Sequence, residues 1–258
     1  MNRIDRFKIN EIGRDFAVGD IHGCFSRLQV ALDAVRFSPD VDRLFSVGDL
    51  VDRGPESEQV DSWLVKPWFH AVRGNHEQMA VDAYRTDPEG RMKVMHLING
   101  GSWLYARSSV EQAWYSELLA DLPLVIEVWT PAGLIGIVHA DCPYDHWDEF
   151  VQAIEQGSPV KVAHVAAIAQ WSRKRIFEES SQVVSGIRAV VVGHTPVRQP
   201  TVLGNVYHID TGGWMDGHFT LLNLHTLQPS LCLSTRSSAL TNERLTWLQL
   251  LTKPEPGE

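Results

Sequence analysis

Five short apolar segments of the chain each end abruptly in polar residues that can bind a metal ion or a phosphate group. Their length and composition are typical of buried strands. The predicted strands cover residues 16–18, 44–47, 69–72, 134–138 and 189–192. Because the carboxyl ends of parallel strands meet at one edge of a sheet, where an open α/β sheet binds its ligand, we expect the five polar endings to form one site.

Helix-like segments follow the first three predicted strands, at residues 25–35, 57–65 and 76–84. In the first of them, Leu28, Ala31, Leu32 and Val35 recur at helical spacing and predict one apolar face that packs on a sheet. Strand and helix therefore alternate through the first third of the chain, and this alternation predicts parallel strands joined by right-handed crossovers.

The pattern changes after residue 121, where residues 122–129 and 134–138 flank a turn and predict a hairpin. Segments 201–203, 206–209 and 219–224 continue this antiparallel style and suggest a second sheet packed on the first. Segments 91–120 and 147–177 are predicted to be helical. The fold class is therefore α/β, a sandwich of two mixed β-sheets flanked by helices.

One domain is predicted over residues 1–234, followed by a tail at 235–258. Four leucines of the tail predict a short docked helix, and its proline-rich end is expected to be disordered. They are Leu240, Leu245, Leu248 and Leu251.

Composition excludes several classes of protein. The hydrophobic share of 44% and the charged share of 21% are typical of a folded globular domain. A formal net charge of −9 disfavours nucleic acid as a partner, because that binding relies on basic residues. The apolar segments are far shorter than the ~20 residues of a membrane span, and no secretory signal is evident, so no membrane contact and a cytoplasmic location are expected. Cys24, Cys142 and Cys232 are odd in number and widely spaced, which argues against a disulfide framework and against a four-cysteine zinc site.

The polar endings contain six candidate metal ligands. This mixed set of imidazole and oxygen donors suits Mn²⁺, Fe²⁺ or Zn²⁺. The ligands are Asp20, His22, Asp49, Asn75, His139 and His194. Six ligands are too many for one catalytic ion, so we predict two ions that share Asp49, with a hydroxide held between them for attack on a phosphoester. Any one of these residues alone is more typical of a turn, a helix cap or a buried histidine; their joint occurrence at five strand ends favours a metal site.

Two further kinds of residue flank the predicted ligands. His76 is the candidate general acid for the leaving oxygen, and Asp52 is its candidate partner, although a salt bridge between Asp52 and Arg53 is an alternative. Arg53 and Arg73 are candidate phosphate-binding residues, because guanidinium groups match phosphoryl oxygens bidentately. Arg173 is a third candidate, with a solvated helix face as its alternative.

The motifs at 19–23, 48–54 and 73–77, followed by single histidines, resemble those of the metal-dependent phosphoprotein phosphatase family, and most closely its bacterial and bacteriophage lambda type. The resemblance covers roughly residues 10–225. It implies a metallophosphoesterase fold and Mn²⁺ as the usual activating ion. The implied substrates are phosphoserine and phosphothreonine of proteins, with some phosphotyrosine.

By this resemblance, Asp20, His22 and Asp49 would bind one ion. Asp49, Asn75, His139 and His194 would bind the other, Asp52 and His76 would form the acid pair, and Arg53, Arg73 and Arg173 would bind phosphate.

Two alternatives belong to other functional classes. Symmetric diadenosine tetraphosphate hydrolases share the opening motif, but they lack the counterpart of Asp52 and often that of Arg73. An inactive phosphopeptide-binding module would have lost ligands, whereas all are present here. The sequence assigns no role to Asp141, His208 or Asp210, and no oligomeric state.

Overall fold

A computed structural model describes residues 3–87 and 89–231. The expected tail helix at 235–258 and Cys232 lie outside the described residues. Within them, the strands are β1 (Ile4–Phe7), β2 (Asp15–Val18), β3 (Arg43–Ser46), β4 (Phe69–Ala71), β5 (Val125–Thr130), β6 (Gly133–Ile137), β7 (Ala189–Val192), β8 (Thr201–Leu203), β9 (Val206–His208), β10 (Thr220–Asn223) and β11 (Gln228–Leu231).

The α-helices of the described residues are α1 (Phe25–Ala34), α2 (Val60–Leu64), α3 (Asn75–Arg85), α4 (Arg91–Ile98), α5 (Ser102–Tyr105), α6 (Ser109–Ala120), α7 (Trp147–Gln156), α8 (Pro159–Trp171) and α9 (Lys174–Phe177). A short 3₁₀ helix at Ser57–Gln59 precedes α2. None of these helices is long and apolar enough to cross a bilayer.

The strands form two mixed sheets. The first has the order β11-β10-β2-β3-β4, in which β2, β3 and β4 are parallel, as the alternation of strand and helix predicts. The second has the order β1-β5-β6-β7-β9-β8 and contains both predicted hairpins, β5-β6 and β8-β9. The predicted fold class of two mixed sheets flanked by helices is confirmed.

The two sheets face each other across one apolar core. Ala17 and Phe45 of the first sheet belong to the same buried cluster as Ile137 and Val191 of the second. A separate cluster lies between the first sheet and α1, where Leu28, Ala31 and Leu32 are buried as their spacing predicts. A third contains residues of α7, α8 and the second sheet.

Two expectations about strand placement were wrong. β6 and β7 lie in the second sheet, so the five polar endings come from two sheets and do not line one edge. β10, expected in the second sheet, pairs antiparallel with β2 in the first. In both cases periodicity shows that a segment is a buried strand, whereas long-range backbone pairing decides which sheet receives it.

The buried His208 at the end of β9 makes the free energy of unfolding depend on pH. Burial, together with the charge of Arg175, lowers the pKa of His208 from 6.5 to about 4. As the pH falls, His208 is therefore protonated in the unfolded chain before it is protonated in the folded protein. The free energy of unfolding should fall as pH drops from about 6.5 towards 4, with a slope approaching ~1.4 kcal/mol per pH unit from this residue.

We expect His208→Leu to flatten that slope in denaturant titrations at pH 7, 6 and 5. The matched control is His164→Leu, which removes a histidine from the exposed side of α8 and should leave the slope unchanged. An unaltered slope in His208→Leu would show that His208 does not titrate in this interval.

Candidate metal centre

All six predicted metal ligands are buried and lie where the carboxyl ends of the two sheets converge. Two groups of side chains have candidate ligand atoms within 4.8 Å of one another: His22, Asp49 and His76 form one, and Asp49, His139 and His194 form the other. Asp49 belongs to both groups, as a residue that bridges two ions must.

Asn75 adds a fourth candidate ligand atom to the second group. Nε2 of His139 lies 2.8 Å from Oδ1 of Asn75, 3.2 Å from Nδ1 of His194 and 3.4 Å from Oδ1 of Asp49. The outer nitrogens of the imidazoles donate to backbone carbonyls, His139 to Val47 at 2.8 Å and His194 to Trp171 at 3.2 Å. Such bonds fix which nitrogen faces a metal ion.

The first group is arranged differently from the predicted trio of Asp20, His22 and Asp49. Nδ1 of His22 donates to the carbonyl of Val51 at 2.9 Å, which leaves Nε2 facing Asp49 Oδ2 at 3.6 Å. His76 is the third member by distance. Asp20 is buried beside this group, and its Oδ1 accepts the backbone N–H of His194 at 3.0 Å.

The electrostatics of the site fit divalent cations. Burial, with the charges of Asp210 and Asp49, raises the pKa of Asp20 well above its usual range. Burial alone would lower the pKa of His139, but the Asp49 carboxylate outweighs it and raises this pKa to about 10. Buried carboxylates therefore draw positive charge into the site, and metal ions held by this donor set would supply it.

Backbone strain is concentrated at the same residues. Among the described residues, eight that are not glycine have positive φ, and five of these are predicted site residues: His22, Asp49, Asp52, Arg53 and His194. Positive φ costs free energy in residues with a Cβ and persists where the surroundings enforce it. The loops after β2, β3 and β7 therefore adopt unfavourable backbone conformations that position the side chains of the site.

Asp52 and His76 form the predicted buried pair. Nδ1 of His76 donates to Oδ2 of Asp52 at 2.7 Å, which turns Nε2 of His76 towards the first group. The Asp52 carboxylate also accepts hydrogen bonds from His96 and Trp103. These bonds, and not a salt bridge with Arg53, satisfy the carboxylate.

The guanidinium of Arg53 lies inside the site. Its Nη1 donates to Nε2 of His22 and its Nη2 to Nε2 of His76, both at 2.9 Å, while its plane stacks over Trp214 at 4.5 Å. A metal ion at His22 would need the same nitrogen lone pair. Metal binding there therefore requires the Arg53 side chain to shift, and Arg53 would then be free to meet a substrate phosphate.

The other arginines have unequal positions. Arg73 donates from Nη1 to the carbonyl of Ala120 at 3.2 Å, and its buried Nε has no hydrogen-bond partner among the described residues. Arg173 is exposed at the start of α9, where its charge contributes to lowering the pKa of His194 after burial and His139. Its neighbour Arg175 is buried and donates to Asp141 at 2.8 Å, so Asp141 anchors α9.

Comparison with known proteins places these features in a family. The model of the calcineurin-like phosphoesterases matches residues 16–198. The chain belongs to this family. It is 38% identical to serine/threonine-protein phosphatase 1 of Salmonella typhimurium, over 81% of this chain and 91% of that protein. The resemblance to bacterial protein phosphatases inferred from the motifs is thereby confirmed.

A further curated relative bears on the tetraphosphatase alternative, and a solved structure bears on the fold alone. A symmetrical bis(5'-nucleosyl)-tetraphosphatase of Pseudomonas putida is 44% identical, but only over 72 residues, which are 27% of this chain and 25% of that enzyme. In fold, the chain is similar to a protein serine/threonine phosphatase of Saccharomyces cerevisiae, with a TM-score of 0.59 at 16% identity, covering 86% of this chain and 77% of that one.

Several site residues escaped the sequence analysis. Asp210 lies buried against Asp20, and burial raises its pKa to about 6. Within the part of the chain that the structure describes, His208 has no hydrogen-bond partner on either ring nitrogen and therefore no hydrogen bond to the ligands. His96 and Trp103, both bonded to Asp52, gave no signal in a single sequence because neither belongs to a motif.

The Glu77 carboxylate also has an unforeseen role. Oε2 accepts the backbone N–H groups of Asp49 at 2.9 Å and Gly74 at 2.8 Å, and Oε1 accepts those of Leu50 at 2.7 Å and Val51 at 3.3 Å. Glu77 thus ties the loop after β3 to the start of α3. The fit is close, because a Cβ at Gly74 would lie 2.2 Å from Oδ1 of Asp49.

We expect Glu77→Gln to destabilise the protein by ~3 kcal/mol, because the amide group would turn two N–H donors towards backbone donors. Urea unfolding at pH 8, above the Glu77 pKa of about 7 that burial and Asp49 produce, measures this loss. The control is Glu117→Gln, whose mostly exposed carboxylate pairs with Arg85 and should contribute less than ~1 kcal/mol. Equal losses in the two variants would contradict the role assigned to Glu77.

Proposed function

We propose that this calcineurin-like phosphoesterase is a metal-dependent phosphatase that removes phosphate from phosphoserine and phosphothreonine residues of proteins, with phosphotyrosine as a weaker substrate. The observation that carries the proposal is the buried pair of Asp52 and His76, in which Nε2 of His76 lies 3.9 Å from Oδ2 of the shared ligand Asp49 and 2.9 Å from the Arg53 guanidinium. An alkoxide is a poor leaving group, and its departure needs a proton donor at this position.

The similarity to the Salmonella phosphatase supports a protein substrate, since it extends over 91% of that protein's length. The similarity to symmetrical tetraphosphatases is weaker support for the alternative, since it covers only 72 residues in one relative and has only 24% identity over 237 residues in another. Asp52 and Arg73, which the motif resemblance associates with protein phosphatases, are both present in the sequence, and Asp52 pairs with His76.

In this proposal Asp20, His22 and Asp49 hold one ion, and Asp49, Asn75, His139 and His194 hold the other. The ions would activate the attacking water and neutralise the phosphoryl oxygens. Metal ligation would need neutral imidazoles, so the proton that Asp49 favours on His139 would have to be absent from a metal-bound His139. Mn²⁺ as the preferred ion and a cytoplasmic location stay predictions from the sequence.

The arginines would bind the phosphoryl group from several sides. The Arg53 guanidinium would lose its hydrogen bonds to His22 and His76 when an ion binds, and it could then donate to the phosphoryl oxygens. Arg173 is exposed and free to approach from the α9 side. A phosphoryl oxygen would satisfy the buried Nε of Arg73.

The substrate class is tested by comparing a phosphoserine peptide, p-nitrophenyl phosphate and a dinucleoside polyphosphate as substrates, each with Mn²⁺ and then with excess chelator. We expect the peptide to be hydrolysed with a kcat/KM at least ~10-fold above that of the dinucleotide, and activity to vanish with chelator. Preference for the dinucleotide would establish the alternative, and chelator-resistant turnover would refute the metal dependence.

The acid role of His76 predicts that His76→Asn loses activity most on substrates with poor leaving groups. We expect a ~10²–10³-fold loss in kcat with phenyl phosphate and a much smaller loss with p-nitrophenyl phosphate. Bound Mn²⁺, measured by elemental analysis after dialysis, should stay near the wild-type content. Equal losses on the two substrates would argue against proton donation by His76.

A further inference from the structure

Helix α4 buries a histidine and exposes its apolar residues. His96 is its one buried side chain, whereas Val94 and Ile98 are 55% and 80% exposed. Burial of an imidazole is costly unless its nitrogens are hydrogen-bonded. The helix is therefore oriented by the bonds of His96, and not by an apolar face.

These bonds lead directly to the acid pair. Nε2 of His96 lies 3.0 Å from both oxygens of Asp52, and Nδ1 of His96 lies 2.9 Å from the hydroxyl of Tyr105. Nε1 of Trp103 donates to Oδ1 of Asp52 at 2.7 Å. With His76 on Oδ2, the buried carboxylate accepts from three side chains.

The hydrogen bonds from Tyr105 through His96 to Asp52 all have the same donor-to-acceptor direction. An ionised Asp52 only accepts, so His96 carries its proton on Nε2, and neutral His96 then accepts the Tyr105 hydroxyl proton on Nδ1. Burial alone would raise the pKa of Asp52, but the hydrogen bonds from His76 and His96 outweigh it and lower this pKa. The carboxylate is thus held in the form that orients His76.

The loop between α4 and α5 fits closely around this histidine. A Cβ at Gly101 would lie 2.3 Å from Nε2 of His96, so only glycine fits there without displacing the ring. The preceding Gly100 accepts the backbone N–H of Arg53 at 3.3 Å. The same loop therefore contacts both His96, which is bonded to Asp52, and the backbone of Arg53.

We propose that His96 and Tyr105 are positioning residues for the phosphatase reaction, which set the plane of the Asp52 carboxylate and through it the direction of His76. The bond from His96 spans both carboxylate oxygens, and so opposes rotation of the carboxylate in a way that the single bonds from Trp103 and His76 do not. This inference rests on the proposed acid role of His76.

The test uses His96→Leu in the Mn²⁺-loaded, full-length protein. We expect kcat to fall ~10-fold or more with phenyl phosphate and less than ~3-fold with p-nitrophenyl phosphate, with little change in KM, because only the poor leaving group needs the oriented proton. His96→Gln, whose amide nitrogen can replace the Nε2 donor, should recover most of the loss. Val94→Leu, an exposed change on the same helix, should have no effect.

A double-mutant cycle separates positioning from general stability. If His96 acts through His76, adding His96→Leu to His76→Asn should cause no further loss on phenyl phosphate. Equal losses on both substrates, or a loss that multiplies in the double variant, would overturn the proposal. A leaving-group effect in His76→Asn without one in His96→Leu would overturn this inference alone, whereas its absence in His76→Asn would overturn the acid role itself.

Tyr105→Phe keeps the inference testable if His96→Leu does not fold, since it removes only the hydroxyl that faces Nδ1. We expect a ~2–5-fold loss confined to phenyl phosphate, at an unchanged melting temperature. Wild-type kinetics in Tyr105→Phe, with His96→Leu unfolded, would assign the histidine to stability only.

Discussion

Two buried carboxylates, Glu77 and Asp49, hold the site together, because each accepts hydrogen bonds from the backbone N–H groups of the other's segment. Glu77, at the start of α3, accepts the N–H groups of Asp49, Leu50 and Val51. Asp49, in the loop after β3, accepts the N–H of His76 at 3.0 Å. Each carboxylate therefore satisfies donors that the other's segment would leave unpaired in the interior. The mutual bonds fix the loop after β3 against the helix after β4.

The accumulated negative charge is the second constraint on the site. Asp20, Asp49 and Asp210 are buried within one region, and their burial is tolerable only if positive charge or donors accompany them. Backbone N–H groups, imidazoles and the Arg53 guanidinium supply part of this compensation. The same arrangement that makes the site costly to bury makes it suited to divalent cations. Positive φ at five site residues shows that the backbone also adopts unfavourable conformations at this site.

The acid pair is the end of a longer buried chain of polar groups. His76, Asp52, His96 and Tyr105 are joined by bonds of 2.7–3.0 Å, with Trp103 attached to the carboxylate. Each member is satisfied by the next, which is the condition for a buried polar network to be rigid. The helical segment between β4 and β5 thus supports the orientation of one imidazole. Its exposed apolar residues on α4 follow from the same requirement.

The sequence by itself determined the strands other than β1 and β11, the helices that follow the first three predicted strands and the identity of the polar endings, because buried strands and amphipathic helices leave local periodicities. Glycines, carboxylates and histidines next to the strand ends also predicted the ligand types. Only the tertiary structure decided which sheet receives β6, β7 and β10, since pairing between distant segments has no local signature. It also decided that Arg175 is buried against Asp141 while Arg173 is exposed, although both belong to one basic triplet. Likewise His96 resembles any other helical histidine until folding brings it against Asp52, because a hydrogen bond across 44 residues depends on position in space and not on spacing in the chain.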